Sequence, residues 1–140
     1  MEAFVLDASV AISWCFPGDP TEDTDYSRRM LAQCAVSDAV VPEIWAFEIA
    51  NILFVSCSRR KRITEQQVGE YLKLLRALPI RVEGNDLWSN LALESQARKW
   101  DLAAYDSAYL SLAIRKGLPL ATSDDRLRRT ALGERVRVLA

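Results

Sequence analysis

Histidine is missing from all 140 residues, and that absence removes more chemistry than any other feature of the chain. It excludes Ser-His-Asp and Cys-His nucleophile systems, histidine general bases and nearly all common zinc sites. Cysteine is scarce: Cys15, Cys34 and Cys57 are odd in number, widely spaced and in no C-x-x-C pattern. They read as small core residues, not as a disulfide framework or a zinc site. Five glycines and five prolines leave no low-complexity segment. No apolar run reaches the length of a membrane span. The start, Met1-Glu2-Ala3-Phe4-Val5-Leu6-Asp7, lacks a basic stretch and meets acids early, unlike a signal peptide. The expectation is a cytoplasmic protein without membrane contact. Lysine occurs four times and the formal net charge is −1. The whole-chain basic footprint of a nucleic-acid coat is therefore missing, although a local basic rim remains compatible. Any chemistry falls to carboxylates, lysine, tyrosine or a hard metal ion, and the few lysines put carboxylates holding a metal first.

What is present is ordinary globular material, 50% hydrophobic and 26% charged, sized for one domain over residues 1–140. Ala3 to Leu6 is a short apolar run, expected as a buried strand. A helix is expected from about Ser9, a break over Pro17 to Pro20, and a helix over Asp25 to Cys34. A strand at Ala39 to Val41 follows, then a long helix opened by Pro42 and running to about Arg60. Thr64-Glu65-Gln66-Gln67 has capping-box form and starts a helix to Arg76. A strand at Ile80 to Val82 and a helix from Leu87 to Trp100 come next. Tyr105 to Lys116 reads as a helix stopped by Gly117. Leu118 to Ala121 gives a fourth strand, Asp125 to Ala131 a short helix, and Val136 to Leu139 a fifth strand. Alternation of this kind predicts an α/β fold, a three-layer α/β/α sandwich around a mainly parallel sheet. Its functional crevice belongs beyond the carboxyl ends of the strands.

Four acids stand out against that frame. Asp7 follows the first strand, where an aspartate also serves as a helix cap. Glu48 and Asn51 are the polar residues of the otherwise apolar run Ile44 to Val55. Their spacing places them on one helix face, and an unpaired buried carboxylate there is costly. A structural alternative is a buried Glu48 satisfied by an arginine from elsewhere. Asp106 sits among apolar and small residues at the start of a helix, where it too fits a cap. Asp124 follows the fourth strand and fits an Asx turn or cap, with Asp125 as a competing candidate. Each acid has a harmless reading, but the set is harder to explain that way. Carboxylates gathered at one crevice repel unless protonated or neutralised by a cation. Oxygen ligands favour Mg²⁺ or Mn²⁺ over zinc, and such ions serve phosphoryl chemistry. The residues alone point to a metal-dependent phosphodiesterase.

Val5-Leu6-Asp7-Ala8-Ser9, Glu48-x-x-Asn51, Tyr105-Asp106-x-x-Tyr109-Leu110 and Thr122-x-Asp124-x-x-Leu127 resemble, in order, the signature of PIN-domain proteins. Length and spacing are similar to the VapC-type toxins of bacterial and archaeal toxin–antitoxin pairs, over essentially the whole chain. The resemblance implies a PIN-like fold and a Mg²⁺-dependent (or Mn²⁺-dependent) endoribonuclease, commonly a homodimer, held inactive by a small cognate antitoxin. It assigns Asp7, Glu48, Asp106 and Asp124 to the catalytic, metal-holding quartet, supported by the polar residues Ser9, Asn51 and Thr122. Ala103 departs from the pattern, because Ser or Thr is frequent three residues before the third acid.

Arg126, Arg128 and Arg129 follow Asp124 closely and are candidates for contact with substrate phosphate; an acidic partner or solvent are the alternatives. Arg59-Arg60-Lys61-Arg62 reads first as a solvated helix end complementing the dipole. Trp14, Phe16, Trp45 and Phe47 are expected in the core, with antitoxin docking against some of them as the second reading. A haloacid-dehalogenase-type phosphatase would need an aspartate where Ser9 stands. A phospho-acceptor domain would need an acidic pair after the first strand and a lysine after the last, and has neither. Two other readings keep the fold: an RNA-processing nuclease that is not a toxin, and a catalytically silent metal-binding or nucleic-acid-binding module.

Overall fold

In the computed structural model, which describes residues 2–140, four short strands form one sheet in the order β3-β2-β1-β4, every neighbouring pair parallel. The strands are β1 (Phe4–Leu6), β2 (Ala39–Pro42), β3 (Ile80–Glu83) and β4 (Leu120–Ala121). Helices α1 (Ala8–Ser13), α2 (Asp25–Val36), α3 (Ile44–Phe54), α4 (Glu65–Arg76), α5 (Leu87–Leu91), α6 (Leu93–Trp100), α7 (Ala104–Lys116) and α8 (Asp125–Gly133) flank it. This is the expected α/β/α sandwich. All of β1, β2 and β4 is buried, as apolar runs without alternation require of parallel strands covered on both faces. The helix α7 packs across β1 and β2, and α1 packs against α2 and α3.

The strand order reverses at β1. Register pairs Val5 with Val40 on one side and with Leu120 on the other. A crevice at such a reversal opens beyond the carboxyl ends of the two strands, here the ends that run into Asp7 and Thr122. Several local signals hold. Thr64 and Gln67 form the reciprocal capping box, and Gly117 ends α7 with φ of 65°, the left-handed conformation glycine adopts without strain.

Other expectations are corrected. The fourth strand starts at Leu120, because Leu118 N–H returns to the Ala113 carbonyl at 3.0 Å to finish α7 and Pro119 follows. A fifth strand over Val136 to Leu139 does not form. A two-residue β4 offers too short an edge, so pairing is limited to a single bridge between Leu120 and Val138. The long helix over Leu87 to Trp100 divides at Ala92 into α5 and α6, and no residue of α5 is buried to hold the two in line. Pro42 completes β2 instead of opening α3, which begins at Ile44 and ends in a π-helical turn over Val55–Arg59. Nor is α3 buried all round: Phe47 is 71% exposed, although Trp14, Phe16 and Trp45 are in the core as expected. Cys15 and Cys34 are buried and Cys57 half-buried, all as free thiols. Among the described residues no helix is long and apolar enough to cross a membrane.

Candidate active site

Asp7 leaves β1 as the residue preceding α1, the position of a helix cap, yet its side chain makes no capping hydrogen bond. It is held by hydroxyls instead. Ser9 and Thr122 each donate a hydroxyl to Asp7 Oδ2, both at 2.7 Å. Asp7 is only 5% exposed, and burial pushes its pKa up against the lowering effect of those two hydroxyls, with the charge of Asp124 raising it further. Thr122 connects the two strand ends, because its Oγ1 also accepts from Asp124 N–H at 3.0 Å. Its own N–H donates to Tyr26 Oη at 3.2 Å.

Asp124 does act as a cap. Its Oδ1 accepts from Arg126 N–H at 2.9 Å and Leu127 N–H at 3.1 Å at the start of α8. Asp125, the competing candidate, is exposed in the first turn of the same helix. Asp106 lies half-buried in the first turn of α7, where Ala103 stands at the cap position and supplies no side-chain hydrogen bond. Burial first, then the charges of Asp7 and Asp124, push the Asp106 carboxyl up to about 6. Glu48, half-buried on α3, accepts from Tyr109 Oη at 2.5 Å. Burial raises its pKa, the Tyr109 bond opposes that, and Asp7 and Asp106 add to the rise.

The four predicted acids are therefore near enough to feel one another: Asp7 feels the charge of Asp124, Asp106 that of Asp7 and Asp124, and Glu48 that of Asp7 and Asp106. Ser9 and Thr122 belong to the same assembly. Asn51 does not join it; it is exposed and forms no side-chain hydrogen bond among the described residues. The three arginines divide. Arg126 is paired with Asp101 at 2.6 Å, Arg129 is exposed, and Arg128 turns back to donate from Nη2 to the Thr122 carbonyl at 2.9 Å. Arg62, at the end of the basic run, pairs with Asp19 at 2.9 Å and lies 4.1 Å over the Phe16 ring. Sequence reasoning gave no role to Tyr109 or Tyr26. Tyr109 had a signal, lying three residues after Asp106 on one helix face. Tyr26 had none, since it meets Thr122 across 96 residues.

The donor set suits a hard divalent cation. It is all oxygen, partly or wholly buried, mutually repelling, and none of the four acids forms an ion pair with lysine or arginine among the described residues. As the side chains stand, no three acids among the described residues are drawn tightly enough to form a coordination shell by themselves. Carboxylates that repel rest apart unless a cation gathers them.

Comparison with known proteins fits this geometry. The profile of the family described as PIN domain matches residues 4–132. No curated protein sequence matches the chain. Among solved structures, PAE2754 from Pyrobaculum aerophilum is similar with a TM-score of 0.66 at 20% identity, over 92% of this chain and 79% of that one. FitAcB from Neisseria gonorrhoeae is similar with a TM-score of 0.55 at 18% identity, over 98% of this chain and 96% of that one. At such identities the two structures speak for the fold alone.

Proposed function

The chain belongs to the PIN domain family, whose members are generally nucleases that use divalent metal ions, and we propose that it is a Mg²⁺-dependent endoribonuclease, the toxin of a toxin–antitoxin pair. The observation that carries the reading is the buried, uncapping, hydroxyl-held Asp7 among three further acids with no cationic partner. Asp7, Glu48, Asp106 and Asp124 are the residues to hold Mg²⁺ or Mn²⁺. A divalent ion held by these residues would supply activation of water and stabilisation of the charge that develops on phosphate. The protein's own part is orientation. Ser9 and Thr122 fix the plane of the Asp7 carboxylate through Oδ2. Tyr109 fixes Glu48 through Oε1 and stays a donor, because burial drives its own pKa far up. Asp124 is fixed by the backbone of α8.

The test is cleavage of single-stranded or looped RNA by purified protein with Mg²⁺ or Mn²⁺, followed by chelation. Activity undiminished after exhaustive chelation overturns the mechanism.

The toxin reading rests on the resemblance of the motifs to VapC-type proteins, an analogy of family. A small antitoxin needs an apolar place to dock. A groove of about 470 Å³ between α3 and α4, lined by Trp45, Ile49, Leu53, Phe54, Val68 and Leu72, supplies one. Expression alone slows growth on this reading, and co-expression of the cognate antitoxin restores it. Unimpaired growth together with RNA cleavage in vitro replaces the toxin with an RNA-processing nuclease. A homodimer accounts for the apolar residues left in water, Phe47, Leu87, Trp88, Leu91 and Tyr105, and light scattering on the purified protein decides it.

A further inference from the structure

On the Ser9 side of the acids lies a cavity of about 530 Å³, lined among others by Ser9, Ser13, Tyr26, Arg29, Ser123 and Arg128. Ser9 is the shared wall: its hydroxyl donates to Asp7 Oδ2 at 2.7 Å and accepts from Ser123 N–H at 3.1 Å. Two guanidinium groups border the cavity, each against the Tyr26 ring. Arg128 lies 5.5 Å and Arg29 5.9 Å from the ring centroid. Neither forms an ion pair among the described residues, and Glu22, which also lines the cavity, pairs with neither. Arg128 is half-buried, with Nη2 committed to the Thr122 carbonyl and Nε buried without a partner.

Withdrawing a guanidinium from water without a carboxylate is costly. The Tyr26 face recovers part of that cost and fixes the plane of the group. What remains is a planar donor fork, a second positive charge and a wall of hydroxyls. That combination matches the tetrahedral oxygens of a phosphate. We propose that this cavity is a phosphate-binding subsite, with Arg128 and Arg29 as its ligands, that holds a backbone phosphate of the RNA beside the one being cut. Naming RNA as the owner of the phosphate rests on the nuclease reading; the anion site itself does not.

The experiment measures binding of an uncleavable 2′-O-methyl oligoribonucleotide in excess chelator, across a salt titration, with inorganic phosphate as competitor. Wild type is compared with Arg29→Ala/Arg128→Ala and with Lys73→Ala/Arg76→Ala, a pair on α4 that removes the same charge from exposed positions. The arginine pair is expected to bind about tenfold more weakly, with the slope of log K against log salt reduced by about 0.7 for each phosphate that is no longer neutralised. The α4 pair keeps the wild-type slope, and inorganic phosphate competes with the probe on wild type but not on the arginine pair. Arg128→Lys keeps the charge without the fork. It retains the slope while losing affinity, and serves if the alanine pair fails to fold. Equal affinity and slope in all variants overturns the subsite, as does a wild type that binds neither probe nor phosphate. An arginine pair that binds RNA normally but loses an acidic protein partner also overturns it, in favour of a protein contact. A wild type that binds the probe through these arginines yet cuts no RNA with any divalent ion overturns the nuclease reading and leaves the subsite in place. Cleavage by wild type with unchanged binding by the arginine pair does the reverse.

Discussion

The carboxyl ends of β1 and β4 lie side by side, and each strand passes through an aspartate into a helix, but the two aspartates are used differently. Asp124 spends Oδ1 on the backbone N–H groups of Arg126 and Leu127. The Asp7 side chain makes no capping bond, and its Oδ2 instead receives the hydroxyls of Ser9, in the first turn of α1, and of Thr122 beyond β4. The same local pattern of strand, aspartate and helix thus yields a cap that also carries charge toward Asp106, and a buried carboxylate with no capping duty. A cap recovers its desolvation cost from the helix it starts. A buried carboxylate relieved chiefly by the neutral donors of Thr122 and Ser9 does not, and burial pushes its pKa up. Perturbed carboxylates of this kind cluster at functional sites, which supports the proposal that Asp7 belongs to one.

The comparison is tested most severely by activity. Asp7→Asn keeps an oxygen to accept both hydroxyls and removes the charge, so metal-dependent RNA cleavage is expected to fall by at least about a hundredfold. Asp124→Asn keeps the cap and also removes a charge, and a smaller but clear loss is expected. Initial rates at saturating Mg²⁺ measure both. Wild-type rates in Asp124→Asn would reduce Asp124 to a cap, and wild-type rates in Asp7→Asn would make Asp7 structural.

Thr122 binds the two regions together, and removing its hydroxyl sharpens the contrast from the stability side. Thr122→Val leaves Asp7 Oδ2 short of one donor and Asp124 N–H without its acceptor in a fully buried position. A loss of about 1–3 kcal/mol follows, read from denaturant midpoints. Ser9→Ala, at a half-buried position, is expected to cost less. Equal small effects at both positions would mean that the bridge does not hold the strand ends.

The contrast also explains how much the sequence discloses. β1 and β2 were legible because strands buried on both faces leave unbroken apolar runs. The capping box and Gly117 were legible because they are local chemistry. The missing fifth strand and the break at Ala92 were not, since both depend on what an element finds to pair or pack against. Apolar composition on α3 suggested burial, but composition does not separate a core face from a face awaiting another surface, and Phe47 lies in water. In the site, the acids stood out from the placement of Asp7 and Asp124 after strands and of Glu48 and Asp106 in apolar surroundings. Their division of labour did not, because the second hydroxyl on Asp7 comes from 115 residues away. The separate fates of Arg126 and Arg128 were hidden likewise, since partners in the fold decide them.

A smaller effect distinguishes the acids without any substrate. Metal-free Asp7→Asn loses carboxylate desolvation and like-charge repulsion while keeping its hydrogen bonds. It should match or exceed the metal-free wild type by roughly 0.5–2 kcal/mol. Wild type is expected to gain thermal stability on adding Mg²⁺, because a ligand of the folded state shifts unfolding by mass action, and the variant is expected to gain much less. Thermal melts of both proteins with and without Mg²⁺ provide the check. A destabilised variant with an undiminished Mg²⁺ response would remove Asp7 from the metal site.

The finest distinction lies between two replacements of Asp124. Asparagine ranks with aspartate as a cap, so Asp124→Asn retains an acceptor for Arg126 and Leu127 N–H and keeps the capping contribution. Alanine offers no acceptor. It leaves those two N–H groups to solvent at the start of α8, and a cost of about 1 kcal/mol follows. The buried Leu127 and Ala131 anchor α8 to the core, so the helix persists in both variants and the difference reads the cap alone. Urea midpoints of the two metal-free proteins, compared at equal m, measure it. Losing the charge relieves Asp7 and Asp106 equally in both, so repulsion cancels from the comparison. Equal midpoints for the two variants would show that Asp124 is not the working cap, and the contrast drawn between the ends of β1 and β4 would have to be abandoned.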